Sequence, residues 1–489
     1  MVFPYSVLLL VGYLLIFNAM IMKRFNYKNI LAGLVLICGL SSSCKKLIEI
    51  PSNPPNKIAT SEVAADSANV MGAIAGIYNG MGATMNNGFG FSTVLYTGLS
   101  SDELTAGQYI DPTTSQFLTN TLLSSNYFVR NLWVDAYKNI YQINACVEII
   151  GSTTAISDAL KRQLMGEMKV VRAFYYFNLI NLYGEVPLVL STDFNLTAQL
   201  PRASSDEIFQ QIIRDLTEAE QSLVTAYPSA QRARPNSYVA KALLAKVYLY
   251  RKEWQKAEDQ SDQVIKAGSY QLSMELNDVF LEGSTEAIWQ LPANGLSSQT
   301  AEGQQFVPFS NNNVPTYPVT SFLVNAFEAN DQRKQKWLGL NMVDLNFNGV
   351  LTSYYYPNKY KNNRAVSATT EAYMILRVAE QYLIRAEARA RLNKLNDAGK
   401  DLKVIRDRAG LGLSPAATQA DILTAIMKER QTELFCEWGN RWFDLKRTET
   451  IDQVLGAEKP GWRATSRLFP IPFDQIRSNP ALIQNPGYN

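Results

Sequence analysis

The chain predicts a mainly helical fold of paired helices interrupted by long loop-rich insertions, and three observations carry that prediction. Residues 377 to 410 hold two amphipathic runs that meet at a short turn. The same layout recurs at 236 to 267. Around these hairpins lie stretches rich in Gly, Asn, Thr, Ser and aromatic residues with no helical period, at 82 to 126 and from 284 to about 370.

In the first-named hairpin, Ala379, Tyr382, Leu383, Ala386, Ala390 and Leu392 recur at three- and four-residue steps, as do Ala398, Leu402 and Ile405, with the turn at Lys394 to Asn396. In the other, Ala245, Ala257 and Val264 stand at the same mutual offsets as Ala386, Ala398 and Ile405. Small residues at those offsets let two helices approach closely, which is the spacing of a tetratricopeptide-like hairpin. A single hairpin cannot bury its apolar stripe, so neighbours must stack on it. Function then belongs to the insertions.

Composition narrows the chemistry. The 489 residues are 47% hydrophobic and 18% charged, an ordinary globular balance. There is no histidine, which removes Ser-His-Asp and Cys-His triads and histidine metal sites together. A pair of carboxylates for glycoside hydrolysis passes this filter. The formal charge is +2, and residues 1 to 43 carry Lys23, Arg24 and Lys28 but no acid, so the remainder is close to neutral and has no electrostatic case for nucleic acid. Of four cysteines, Cys38 and Cys44 lie near the start, while Cys146 and Cys436 sit in helical stretches and are expected to be buried free thiols.

Taken in order, residues 22 to 43 form a lipoprotein-type export signal: a basic start, an apolar run from Ile30 to Leu40 too short to span a bilayer, three serines, then Cys44. Since Met22 opens a complete signal, residues 1 to 21 are expected to be upstream sequence translated from too early a start. Residues 44 to 60 form a tether with prolines. Helices are expected near 62 to 81, 127 to 150 and 156 to 182, the last ending at Tyr183-Gly184 before Pro187. Ser204 and Ser205 with Asp206 and Glu207 open another. STEAIWQLPAN, residues 284 to 294, is expected to be a short buried strand. Val319 to Trp337 is expected as one helix, and 422 to 447 as a last long helix capped near Gly439 and followed by a short turn. The proline-punctuated end after Leu468 is expected to be irregular.

In their order along the chain, the signal, RAFYYFNLINLYGEVPLV, the ALLAKVYLY hairpin, STEAIWQLP, LRVAEQYLIRAEARARL, IRDRAGL, KERQTELFCEWGNRWFDLKR and LFPIPFDQIRSNPALIQNPGY resemble the SusD/RagB-like outer-membrane lipoproteins. The resemblance spans nearly the whole chain. It implies an N-terminal part, 61 to 283, and a C-terminal part, 284 to 489, of one globular unit, with four tetratricopeptide-like helical pairs on one face and a ligand-holding loop face. It further implies lipidation of Cys44, for instance by palmitate, and surface display on the outer membrane, although Lys45 and Lys46 stand where many relatives carry acids. The implied function is binding, without catalysis, cofactor or metal: capture of a nutrient oligosaccharide, or alternatively a peptide, for delivery to a TonB-dependent SusC-like transporter.

Sugar capture needs flat aromatic faces for pyranose rings and amides or carboxylates for hydroxyls. The insertions offer Phe91, Tyr109, Phe309, Tyr317 and Tyr355 as platforms and Asp102, Asp111, Asn311 and Asn313 as polar partners. A lipoprotein glycosidase pairing Asp102 with an acid of the second insertion is the rival. Trp289 and Trp442 fall in structural blocks. The helical charges Arg377, Glu380, Arg385, Glu387, Arg406, Glu429, Arg430, Glu433, Arg441 and Asp444 are expected to form surface or semi-buried ion pairs.

Overall fold

Small side chains decide how closely the helices of this chain pack, and the computed structural model describes the result for residues 60–82, 88–293, 299–363 and 370–488. Cys44 and the whole segment before Thr60 lie outside the described residues, and from Val63 onward the described residues belong to one compact unit. The helices are α1 Thr60–Ala65, α2 Ser67–Gly82, α3 Phe89–Ser100, α4 Pro112–Leu118, α5 Tyr127–Ser152, α6 Asp158–Tyr183, α7 Phe194–Thr197, α8 Ser205–Ser222, α9 Ser237–Tyr250 and α10 Trp254–Lys266. After strand β1 Ala287–Pro292 come α11 Ala301–Phe306, α12 Ser321–Ala326 and α13 Gln332–Trp337. Strands β2 Leu338–Val343, β3 Thr352–Pro357 and β4 Ala372–Arg377 lead into α14 Val378–Arg391, α15 Leu395–Arg408, α16 Gln419–Glu433, α17 Asn440–Arg447, α18 Ile451–Glu458 and α19 Phe473–Ser478. None of the described helices is long and apolar enough to cross a membrane.

The helices stack in chain order. α2 packs on α5, α5 on α6, α6 on α8, α8 on α9, α9 on α10, α10 on α14, and α14 with α15 on α16. Ala240, Ala242, Ala245, Ala257, Ala379, Ala386, Ala390 and Ala398 are all fully buried at these contacts, so the two hairpins join through alanine surfaces that bring backbones close. α6 is enclosed over most of its length: from Leu164 to Tyr183 only Met165 and Lys169 escape burial. It stops at Gly184, whose φ of +74° an L side chain resists. α8 opens with the reciprocal Ser204–Glu207 capping box. Two antiparallel pairs, β1 with β4 and β2 with β3, complete the described secondary structure. Cys146 and Cys436 are buried free thiols.

Four sequence expectations need correction. The stretch 82 to 126 contains α3, which is buried almost throughout; because FGFSTVLYTGLS is apolar or small on every side, it has no 3.6-residue stripe to detect. Val319 to Trp337 is two short helices. Thr320 and Asp331 each cap a new start, and Asn330, at φ 66°, breaks the path between them. Residues 422 to 447 are likewise two helices, parted where Cys436, Trp438 and Gly439 all take positive φ. Gly439 is the N-cap of α17, and a further helix, α18, follows. The chain end also forms the short α19.

The helical charges are more deeply buried than their spacing suggests, because they face one another across elements. Arg377 at the end of β4 reaches Glu433, Glu437 (2.8 Å) and Glu286 (3.3 Å). Arg408 joins Glu286 and Glu433, and Arg333 holds Asp331 (2.8 Å), Glu429 (2.6 Å) and Glu433 (3.0 Å). Nearby, Arg430 pairs with Asp444 (2.6 Å) and Arg447 with Glu387 (2.7 Å). The break after α16 frees carbonyls that would otherwise end a helix: the Lys359 ammonium donates to the Glu433 and Phe435 oxygens, each 2.8 Å away, and to Glu437, beneath the Phe435 ring.

Desolvation pushes the Glu433 carboxyl up, but Arg408, Arg377 and Arg333 overcome it and hold the group well below the carboxylate range. Against the same desolvation, arginines and Lys359 keep Glu437 low, and Arg430 with Arg447 keep Asp444 low. Burial raises Glu286, and it raises Glu429, which competes with Glu433 for Arg333. A carboxyl whose folded pKa is depressed stabilises the fold above its unfolded value and loses that contribution as pH falls through the folded one. Unfolding titrations should therefore show stability dropping below the ordinary glutamate value of about 4.3, a slope set by Glu433, Glu437 and Asp444. Glu433→Gln leaves three arginines short of a partner and should cost about 3–5 kcal/mol in chemical denaturation at neutral pH, flattening that acid slope.

Candidate functional site

The two insertions are brought together by main-chain pairing. Segment 103–107 runs beside 316–320: Thr105 N–H donates to the Pro318 carbonyl (2.8 Å), Gly107 N–H to Thr316 (3.1 Å) and Thr320 N–H to Glu103 (2.9 Å). The Gln108 side chain adds a bond to the Val314 carbonyl at 2.7 Å. The second partner is held from behind, since Val319 N–H donates to the Tyr355 carbonyl of β3 (2.9 Å) and the Asn341 amide of β2 clasps the Ser310 and Asn313 carbonyls at 3.0 and 2.8 Å. Gly107 is obligatory here, because a Cβ at that position would sit 2.2 Å from the Pro315 carbonyl oxygen.

This seam sorts the sequence-derived candidates. Tyr109 is 86% exposed just beyond the paired segment, and Phe309 is 68% exposed at the start of the opposite one. Asn311 and Asn313 are exposed on the same loop. Tyr317 is half-buried, set edge-on to Phe306 at 6.3 Å, and burial with the nearby Asp111 carboxylate pushes its hydroxyl up. Tyr355 is half-buried with Lys334 over its ring at 5.9 Å.

Three candidates have other work. Phe91, on the buried helix α3, is 3% exposed and packs on Phe306, so its face is closed to a ligand. Asp102 is 2% exposed, and both its oxygens take the Arg441 guanidinium, at 2.8 and 2.5 Å. With both oxygens held, it is not the free carboxylate of a glycosidase pair. Asp111 is the N-cap of α4, accepting from Thr113 and Thr114 N–H and the Thr114 hydroxyl; desolvation opposes these bonds, which nonetheless hold its carboxyl below the usual range. Among the described residues no group of acids and cysteines is arranged to hold a metal ion.

A cleft of about 440 Å³ adjoins the seam at Leu104, Thr105 and Thr320. Its walls include Asp102, Thr105, Thr119, Ser321 and Phe322 from the insertions and Glu458 to Gly461 at and just after the end of α18. No local signal joins residues so distant in the chain.

Two family models match the chain: one described as SusD family over residues 268–488, the other as starch-binding associating with outer membrane over residues 54–249. A SusD-like protein of Formosa agariphila is 24% identical over 422 residues, which cover 74% of this chain and 79% of that one. A SusD superfamily protein from Bacteroides vulgatus superposes with a TM-score of 0.77 at 19% identity, covering 86% of this chain and 99% of the other. A laminarin-binding SusD-like protein superposes with a TM-score of 0.75 at 24% identity, covering 87% and 100%. These superpositions establish the fold.

If pairing at the seam builds this surface, Gly107→Ala should separate the two segments. It is expected to cost about 1–3 kcal/mol by overpacking and to speed hydrogen exchange at the Thr105 and Thr320 amides while amides of α6 stay protected.

Proposed function

Since the chain belongs to the SusD/RagB-like family, we propose that it is an outer-membrane lipoprotein that binds a nutrient glycan along the seam and passes it to a TonB-dependent SusC-like transporter. The observation that supports this is the seam itself: two insertions far apart in sequence pair through their main chains, and the exposed Tyr109, Phe309, Asn311 and Asn313 and the half-buried Tyr317 lie on or next to the paired segments. Aromatic faces with amides between them suit the alternating apolar faces and hydroxyl edges of a polysaccharide. Membership of a family of glycan-binding proteins, the starch-binding description of one matching model and a neighbour that binds laminarin favour a glycan over a peptide. No carboxylate among the named candidates is free for bond cleavage, since Asp102 is saturated by Arg441 and Asp111 caps a helix. Cys44 is the proposed lipid anchor.

Purified protein incubated with a panel of neutral polysaccharides should be retained on at least one polymer without releasing reducing ends. Release of reducing ends, or retention on none while peptides bind, overturns the proposal. Tyr109→Ala and Phe309→Ala should each weaken retention about three- to tenfold, the worth of one stacking ring, with an unchanged melting temperature. Cys44→Ala should abolish incorporation of a palmitate analogue and release the protein from membranes in cell fractionation.

A further inference from the structure

The cleft flanking the seam has chemistry of its own. Glu458 lines it, and one oxygen of this carboxylate, Oε2, is buried without a donor from any described residue. Burial and the neighbouring Asp102 push the group up to about 7, and no cation offsets this fully. Arg441 is committed to Asp102, and the Lys459 ammonium is turned toward the Leu99 and Leu118 carbonyls. An acceptor held in a cavity without a protein donor gains from a hydroxyl brought by a ligand.

The rest of the lining fits the same partner. Phe322 stands 48% exposed at the wall, a ring face open to a flat apolar surface, and Thr105, Thr119 and Ser321 add hydroxyls that both donate and accept. Asp102, which also lines the cleft, is paired with Arg441, and burial brings Lys459 down to about 7, so neither Glu458 nor Lys459 is a fixed charge that would select an ion. Gly461 lies so close to Thr119 that a Cβ there would sit 2.2 Å from its carbonyl oxygen, so the two lining segments are in direct backbone contact. A volume of about 440 Å³ falls at the small end of the roughly 300–1,000 Å³ typical of small-molecule sites.

We propose that this cleft is a second sugar site, separate from the Tyr109–Phe309 surface, which takes one or two neutral pyranose units with a ring face on Phe322 and a hydroxyl donated to Glu458. The proposal rests on the glycan-binding reading above, and it differs in place, size and residues. Three chain segments must meet to build the cleft, whereas the seam surface needs only two. An oligosaccharide long enough to reach both sites would be held at two points, and a short one would be held here.

The test uses the full mature chain and saturation-transfer NMR with four neutral disaccharides, maltose, cellobiose, laminaribiose and lactose, beside glucosamine and glucuronate as charged probes. At least one disaccharide should give a signal that Phe322→Ala and Glu458→Ala each reduce about tenfold in affinity, the scale of one lost stacking or hydrogen-bonding contact. Glu458→Gln, which keeps an acceptor oxygen, should restore part of what Glu458→Ala removes. Equal melting temperatures for the variants show that the fold is kept. The proposal is overturned if no neutral disaccharide gives a signal, if only a charged probe does, or if the signal survives both cleft variants but falls with Tyr109→Ala. Polysaccharide retention by the parent protein in the same preparations separates these outcomes from failure of glycan binding as such.

Discussion

Arg377, Arg408 and Arg333 converge on Glu433 in a region with no access to water, and this buried cluster governs how the insertion and the helical stack meet. Taking such ions from water costs several kcal/mol each, and the cost is offset as lone pairs find donors. Here the partners come from different elements: Glu286 precedes β1, Arg377 ends β4, Arg408 ends α15, Glu433 ends α16 and Arg333 lies in α13. Most of these charges find opposite partners across elements, although Arg408 Nε and Glu429 Oε1 have no hydrogen-bond partner among the described residues, so the cluster ties those elements to one another without saturating every atom.

That cluster reaches the proposed glycan surface through short steps. Arg333 anchors α13, which runs directly into β2, and Asn341 of β2 clasps the loop that carries Asn311 and Asn313. From the opposite side, Arg441 of α17 grips Asp102 at the head of the first paired segment. Exposed rings such as Tyr109 and Phe309 thus stand on loops whose backbones are tied down by hydrogen bonds, which limits the ordering entropy lost when a ligand lands. Loops free to move would bind more weakly with the same side chains.

How much of this was legible varies with the range of the interaction. The hairpins at 236–267 and 377–410 follow from periodicity, and their observed helices match it within a few residues. Helix α3 was missed because burial on every side erases the stripe that periodicity detects. The breaks at Asn330 and at Cys436 to Gly439 were missed because tertiary partners, such as the Lys359 ammonium on freed carbonyls, outweigh local helix preference. Among site candidates, Tyr109, Phe309, Asn311 and Asn313 do lie exposed at the seam, whereas Phe91, Asp102 and Asp111 were chosen by residue type and belong to the core, an ion pair and a helix cap.

By itself, then, the amino-acid order determined the helical pairs, the family resemblance and the two stretches that leave the stack, because each of these is written in spacings of a few residues or in blocks that stay contiguous. Tertiary structure alone decided which charges are buried, which aromatic faces remain open and that Phe322 shares a cleft with Glu458. Those outcomes depend on desolvation and on contacts between residues over a hundred positions apart, and neither quantity is carried by any local pattern.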